Sequence, residues 1–347
     1  MPRVSLIVPT FNGERFISRF VACIDRQTFR DLELVFIDDA STDRTAAACV
    51  EVASVSPRRV LHTDSNLGPS VARNLGLSAT DSEFVAIVDV DDLIHPERLA
   101  RLISLAIDTR ADWVADDQIF VDASSFEPLH LLWGRQSLPA DEFALARALL
   151  TRSGVWGRDR GGFATMKPLF RRQALLVGNL SYDESLRSLE DLDLYFRCCL
   201  HSLRFRWESK PGYYYLLRGR EADGAPRGTD DMVCLQRKLE MLVAEGHAPG
   251  FEALVRHRGR LVRLSQAFFD LLSARHRGVG LLRWLAGHSG LLSELPVAVV
   301  YQIFWRIQYQ LRTVPRRSPV PSDIVDYRDL LTELGLQSPG TRAISEK

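Results

Sequence analysis

Two hydrophobic periods alternate along the first 120 residues: short, β-branched apolar runs, and longer stretches whose apolar positions recur every three or four residues. Val4 to Val8, Leu32 to Asp38, Arg59 to Thr63, Phe84 to Val88 and Trp113 to Val121 predict strands. Glu14 to Gln27, Thr42 to Ala53, Pro69 to Ala79 and Pro96 to Ile107 predict helices, with Thr42 and Pro96 at cap or first-turn positions. This alternation is that of βαβ units around a mostly parallel sheet. The stretch from Ala123 to Arg160 predicts a loop plus a helix from about Ala140 to Thr151, and the Gly-rich segment Gly157 to Gly162 follows. From about residue 231 the pattern turns helical, beginning with Met232 to Glu245.

Ligands of such sheets lie beyond the carboxyl ends of the strands. The polar residues there are Thr10 and Asn12, Asp38 and Asp39, Asp64 and Asn66, and Asp89, Asp91 and Asp92. Helix capping accounts for Asp64 and Asp92. It accounts poorly for Asp38, Asp39, Asp89 and Asp91, which extend apolar strands directly. Carboxylates gathered at one sheet edge repel each other unless a cation or a donor-rich ligand joins them. Aspartate oxygens suit Mg²⁺ or Mn²⁺, so Asp89-x-Asp91 predicts a cation bridge to a diphosphate. In Asn66 to Asn74, a glycine precedes a helix start and Arg73 falls in its second turn. Arg73 then either faces a nucleotide or sugar, as helix-start amides do, or pairs with a strand-end aspartate. Asn74 reads as structural.

Composition narrows the class. Across 347 residues, 46% are apolar and 25% charged, the balance of a folded globular chain. Lys plus Arg equals Asp plus Glu at 44 each, against a globally basic nucleic-acid binder. Five cysteines without a CxxC pair suggest neither a disulfide framework nor a zinc site, and fit a reduced cytoplasmic compartment. The start lacks the pattern of a secretory leader. No window reaches the roughly 20 apolar residues of a spanning helix; the nearest, Leu295 to Ile307, is broken by Gln302 and Arg306. No GxGxxG follows the first strand, which removes a dinucleotide dehydrogenase.

Val-Pro-Thr-Phe-Asn (8 to 12), Ile-Asp-Asp-Ala-Ser-Thr-Asp (37 to 43), Asn-Leu-Gly-Pro-Ser-Val-Ala-Arg-Asn (66 to 74) and Val-Asp-Val-Asp-Asp (88 to 92) together resemble family two glycosyltransferases. The likeness runs over about residues 3 to 215 and is strongest to bacterial exopolysaccharide glucosyltransferases of the succinoglycan type. It implies a GT-A fold, a Rossmann-like nucleotide-binding sheet merged with an acceptor-binding half, and inversion at the anomeric carbon of a nucleotide-activated sugar. By the same resemblance Asp91 is the metal ligand and Asp89 lies by the ribose or the metal's water. Asp39 accepts from the uracil N–H, Phe11 stacks on the base, and Pro9, Thr10 and Arg73 complete the nucleotide-sugar site. Leu-Glu-Asp-Leu-Asp-Leu (189 to 194) resembles the family's ED motif, with Asp191 as the base that takes the acceptor proton and Glu190 beside it.

Lys167 to Arg172 resembles the segment before the acceptor-side helix, whose basic residues either touch donor phosphate or acceptor or, as is usual for surface lysine and arginine, do neither. Arg218 and Arg227, around a Gly- and Pro-bearing stretch after Tyr213 to Tyr215, are expected to close over the diphosphate. The GlnxxArgTrp motif of processive synthases is missing, which favours addition of a single sugar. Domains are expected at 1–230, with a nucleotide-sugar half (1–120) and an acceptor half (121–230), and at 231–347, a helical extension. From Arg256 to Arg317 that extension carries 11 Arg against one Asp and one Glu. Such helices either suit an anionic membrane face, placing the protein peripherally at the inner face of the plasma membrane near a saccharide or polyprenyl-diphosphate-linked acceptor, or pack on the catalytic domain with their arginines solvated. RNA is a weaker partner, since no RNA-recognition motif accompanies the charge. The rival readings are a sugar nucleotidyltransferase, whose Gly-rich triphosphate loop is missing after Val8, and a catalytically silent membrane scaffold that kept the fold.

Overall fold

The computed structural model describes residues 2–132, 139, 141–152, 165–218, 229–276, 330–332 and 334–335, with side chains in the last long helix described to residue 267. The Gly-rich segment 157–162, Arg227 and the basic tract beyond residue 276 lie outside the described residues.

Strands β1 (Val4–Thr10), β2 (Leu32–Asp38), β3 (Arg58–His62) and β4 (Phe84–Ile87) lie in the order β3-β2-β1-β4, all parallel. Helices α1 (Glu14–Ile24), α2 (Thr45–Glu51) and α3 (Pro69–Ser78) make the crossovers. Every residue of β2 is buried, as expected of a parallel strand covered on both faces. In α1 the buried Ile17, Phe20, Val21 and Ile24 fall at helical spacing and turn one stripe to the sheet. Helix α2 starts later than its pattern predicts. Thr42 is not its cap; Asp43 instead accepts the Thr45 amide at 2.9 Å. The fourth helix, α4 (Arg98–Asp108), likewise begins two residues after Pro96.

Beyond β4 the sheet becomes mixed. Short β5 (Leu93–Ile94), long β6 (Trp113–Asp122), β7 (Pro128–Leu131), β8 (Leu169–Arg171) and β9 (Phe205–Leu217) extend the order to β4-β8-β6-β9-β5, with β7 paired to β6. Strand β8 runs antiparallel to both β4 and β6, while β9 runs parallel to β6. Trp113 on β6 is fully buried among Phe170, Tyr195 and Phe205, with ring centroids 4.6 to 5.8 Å away. Helices α5 (Glu142–Arg152), α6 (Arg172–Val177) and α7 (Glu190–Leu200) complete this half. The extension begins with α8 (Thr229–Ala244) and α9 (Glu252–His276). It docks through Phe251, whose ring lies 4.6 Å from Phe143 of α5 and 5.4 Å from Phe196 of α7. Arg256, Arg260 and Arg263 stay exposed on α9. No described helix is long and apolar enough to cross a membrane.

The helix carrying Arg73 is pressed onto the sheet. A Cβ on Gly76 of α3 would stand 2.4 Å from Ile7 Cγ2 and 2.9 Å from Ile37 Cδ1. Overpacking of this kind costs about 1–3 kcal/mol. Gly76→Ala is therefore expected to lower the urea unfolding midpoint by that free energy, and an unchanged midpoint would contradict the close approach.

Candidate active site

A cavity of about 570 Å³ opens at the carboxyl ends of β1, β2 and β4, a size usual for small-ligand sites. It brings together Pro9, Thr10, Phe11, Asp39, Arg73, Asp89, Asp91 and Arg218 from five separate stretches of chain. Asn12, in the left-handed region at φ 50°, turns the chain out of β1, and its Oδ1 accepts the Thr42 amide at 2.8 Å. That bond ties the first loop to the second. Phe11 is left 49% exposed at the mouth, the setting an aromatic platform for a base requires.

Asp39 is buried, yet its carboxylate already serves the chain. It accepts the Thr63 hydroxyl at 2.8 Å and the Leu67 amide at 2.9 Å on Oδ1, and the Gly68 amide at 2.8 Å on Oδ2. A carboxylate offers about four lone-pair sites, so acceptor capacity remains toward the cavity. Asp38 points elsewhere, with His62 Nδ1 3.6 Å from its carboxylate.

Behind the cavity lies a net of buried charge. Helix α7 starts after Leu189, which takes φ 64° and ψ 10°, a conformation costly for a side chain with a Cβ. Its three acids then diverge, as neighbours on a helix must. Glu190 pairs with Arg73, Asp191 takes Lys167 Nζ at 3.1 Å, and Asp193 takes Arg197 Nε at 2.9 Å. Arg73 reaches Asp89 at 3.5 Å and Asp191 at 3.9 Å. Both open readings of Arg73 therefore meet in one side chain, which lines the cavity and carries ion pairs. Lys167 is the residue the pattern missed. Far from being a surface group, it is 4% exposed and bridges Asp89 (2.9 Å) to Asp191. Neither Glu190 nor Asp191 lines the cavity in this state; Arg73 and Asp89 form its wall in front of them.

Burial opposes charge on Asp89, Lys167, Arg73 and Glu190, and pairing outweighs it for the first three. Lys167 and Arg73 hold the Asp89 carboxyl down at about 2 against its burial. Despite burial, Asp191 and Asp89 push the Lys167 ammonium up, and Asp191 and Glu190 push Arg73 well above its ordinary value. Glu190 is raised by burial, against the pull of Arg73. One acceptor stays unsatisfied: Asp191 Oδ1 is buried and receives no hydrogen bond.

Asp91 meets a different cation. Arg218, at the end of β9 and 4.6 Å over the Phe16 ring, pairs with its carboxylate. Among the described residues no group of three His, Cys, Asp or Glu gathers to hold a metal. Asp91 nonetheless fits a hard divalent cation, because such ions accept one or two carboxylates and take their other ligands from phosphate oxygens and water. Asp92, expected as a cap, is instead buried, accepting Tyr213 Oη at 2.7 Å and the Leu216 amide at 2.9 Å. Burial, with the Asp89 charge, raises its carboxyl to about 7. A carboxyl raised by folding binds more protons folded than unfolded, so its contribution to stability is lost as pH climbs from about 4 to about 7. Wild type is expected to lose melting temperature relative to Asp92→Asn across that window; a constant difference would refute the burial assignment.

The cavity lies beyond the carboxyl ends of the parallel strands, where sheets of this kind receive their ligands. The family model described as Glycosyl transferase family 2 matches residues 5–170. Succinoglycan biosynthesis protein ExoU of Rhizobium meliloti (strain 1021) is 31% identical over 268 residues, which cover 75% of this chain and 75% of ExoU. The chain belongs to glycosyl transferase family 2, and it is a glycosyltransferase. Among solved structures, S. aureus TarS 1-349 in complex with UDP-GlcNAc superposes with a TM-score of 0.59 at 24% identity, covering 75% of this chain and 70% of that one. Mannosyltransferase PcManGT from Pyrobaculum calidifontis, in complex with GDP-Man and Mn²⁺, gives a TM-score of 0.52 at 19% identity, covering 88% and 84%. Both share the GT-A fold with this chain.

Proposed function

We propose that the protein transfers a single hexose from a UDP-sugar, with inversion, to a hydroxyl of a saccharide or polyprenyl-diphosphate-linked acceptor in surface polysaccharide synthesis. The observation that carries this reading is Asp191: a carboxylate held at Oδ2 by Lys167, with Oδ1 buried 3.9 Å from Arg73 Nη1 and the Tyr182 phenol next to the same carboxylate, directly behind a nucleotide-sized cavity. The acceptor oxygen attacks the anomeric carbon on the face opposite the diphosphate. A new C–O bond forms there as the bond to the phosphate oxygen breaks, and that electron pair leaves with UDP. The hydroxyl proton passes to Asp191 Oδ1.

Asp91 would hold Mg²⁺ or Mn²⁺, whose charge neutralises the diphosphate as it departs. Arg73 and Arg218 border the same space, and Thr10, Pro9, Phe11 and Asp39 receive the nucleoside. Glu190 holds Arg73 in place. TarS, by its description, takes UDP-GlcNAc, which supports uracil; PcManGT takes GDP-Man, so the fold by itself does not select the base. The likeness to a succinoglycan biosynthesis protein supports a polysaccharide acceptor. The exposed Arg256, Arg260 and Arg263 give α9 a basic face toward an anionic lipid surface that presents it. Calorimetric titration of UDP, GDP and dTDP with and without Mn²⁺ tests the donor assignment. Metal-dependent binding strongest for UDP supports it, and stronger GDP binding reassigns the donor. No nucleotide binding at all would move the weight to a silent scaffold.

A further inference from the structure

Residues 165–168 belong to no strand or long helix, yet three consecutive carbonyls there are each captured by a buried side chain from a different element. Gln118 Nε2 of β6 donates to Thr165 O at 2.8 Å, Tyr195 Oη of α7 donates to Met166 O, and Arg98 of α4 donates to Lys167 O. Arg98 is itself fully buried and forked onto Asp116, Nε to Oδ2 at 2.9 Å and Nη2 to Oδ1 at 2.8 Å. Irregular backbone is usually a surface feature. Here donors from β6, α7 and α4 fix it from three sides, and the side chain it presents is Lys167.

The ammonium of Lys167 contacts Asp191 Oδ2 and Asp89 Oδ2, one acid from each half of the site. Replacing a buried ion pair by packed apolar groups is often neutral or stabilising, so stability alone is a weak reason for this arrangement. The charge count supplies a better one. Asp89, Glu190 and Asp191 face Arg73 and Lys167, three acids to two bases, and Asp191 Oδ1 is the buried carboxylate oxygen among them that no well-formed hydrogen bond reaches, with Arg73 Nη1 3.9 Å away and the buried Tyr182 phenol next to the same carboxylate. A carboxylate free to rotate would offer either oxygen. With Oδ2 pinned, only Oδ1 remains as a proton acceptor.

We infer that Lys167 is a positioning residue for glycosyl transfer: it anchors Asp191 through Oδ2, references it to the donor-side Asp89, and so fixes where Oδ1 stands behind the cavity wall. This rests on the assignment of Asp191 as base. Misplacing a catalytic group by an ångström costs about 100-fold, so Lys167→Met is expected to lower kcat for UDP release from UDP-glucose, in Mn²⁺ with water as acceptor, by about that factor. The KM for UDP-glucose and the Kd for UDP are expected to stay within about 3-fold, because Lys167 does not line the donor cavity. Lys167→Arg keeps the charge and the fold and is expected to recover about 10-fold of the loss. Should Lys167→Met fail to fold, the arginine variant carries the test through its own kcat loss at unchanged UDP affinity. Wild-type kcat in either variant, or a fall in UDP affinity that matches the fall in kcat, overturns the inference. Failure of the underlying reading looks different: wild type would not bind UDP or release it from UDP-glucose, or Asp191→Asn would turn over normally.

Discussion

Asp191→Asn is expected to lower turnover about 1,000-fold, in the range general-base removal produces, while UDP affinity in Mn²⁺ stays within about 3-fold. The substitution keeps the shape of the side chain, and its amide oxygen still has Lys167 to accept from. It also removes the surplus negative charge of the cluster formed by Asp89, Glu190, Asp191, Arg73 and Lys167, so the fold has no reason to suffer. Asp191 stands outside the cavity lining, which is why binding and chemistry should separate. Initial rates of UDP release beside calorimetric UDP titrations make the check. Turnover within about 10-fold of wild type would place the base elsewhere.

The second large effect is expected at the opposite wall. Asp91→Ala should abolish the gain in UDP affinity that Mn²⁺ provides, because no described group of three His, Cys, Asp or Glu stands ready to replace that ligand. Asp89 is a poor substitute, being held by Lys167 at 2.9 Å and Arg73 at 3.5 Å. Without metal, the variant should bind UDP at least as well as wild type does. The Asp91 carboxylate no longer competes with a phosphate for the Arg218 guanidinium, which stays placed over the Phe16 ring. Titration of UDP into both proteins in EDTA and in Mn²⁺ separates the two effects. A metal gain of about 10-fold or more persisting in the variant would mean that another ligand set holds the cation.

The N-terminal parallel sheet was legible because β1, β2 and β4 are largely apolar runs ended by polar residues; of the carboxylates at the strand ends, Asp39, Asp89, Asp91 and Asp92 converge on one cavity, while Asp38 and Asp64 do not. Helix starts were less legible. Thr42 is a good capping residue by type, but its hydroxyl, like its amide, donates to Asn12 Oδ1, at 3.2 and 2.8 Å, and Asp43 accepts the Thr45 amide where α2 begins. Pattern reading assigned Asp92 to a cap because capping is the ordinary use of a loop aspartate; its true partner, Tyr213, is 121 positions away. Lys167 was hidden for a related reason. A lysine before a proline in an aperiodic stretch reads as solvent-facing, and only the tertiary packing of Gln118, Arg98 and Tyr195 around that backbone makes it interior. A usable signal was present: Arg98 breaks the apolar face of α4 at a fully buried position, and a buried arginine demands partners. The opposed readings of Arg73 could not be separated by pattern, since one guanidinium has enough donors for both.

The order of strands in the sheet has a consequence for biosynthesis. Strand β5 and the Asp92 side chain beside it take strand and hydrogen-bond partners, Tyr213, Tyr214 and Leu216, from β9, and β4 is flanked on one side by β8. Pairings of such sequence separation form slowly and late. On the ribosome, the first four strands can assemble as a nascent parallel layer while the wall bearing Asp89 and Asp91 still waits for some 120 residues yet to be translated. A chain interrupted before β9 would expose the edge of β6 and leave Asp92 without its phenol. Quality control would therefore meet a stalled chain as an open sheet edge, a form prone to pair with its neighbours, well before it could meet a folded but inactive enzyme.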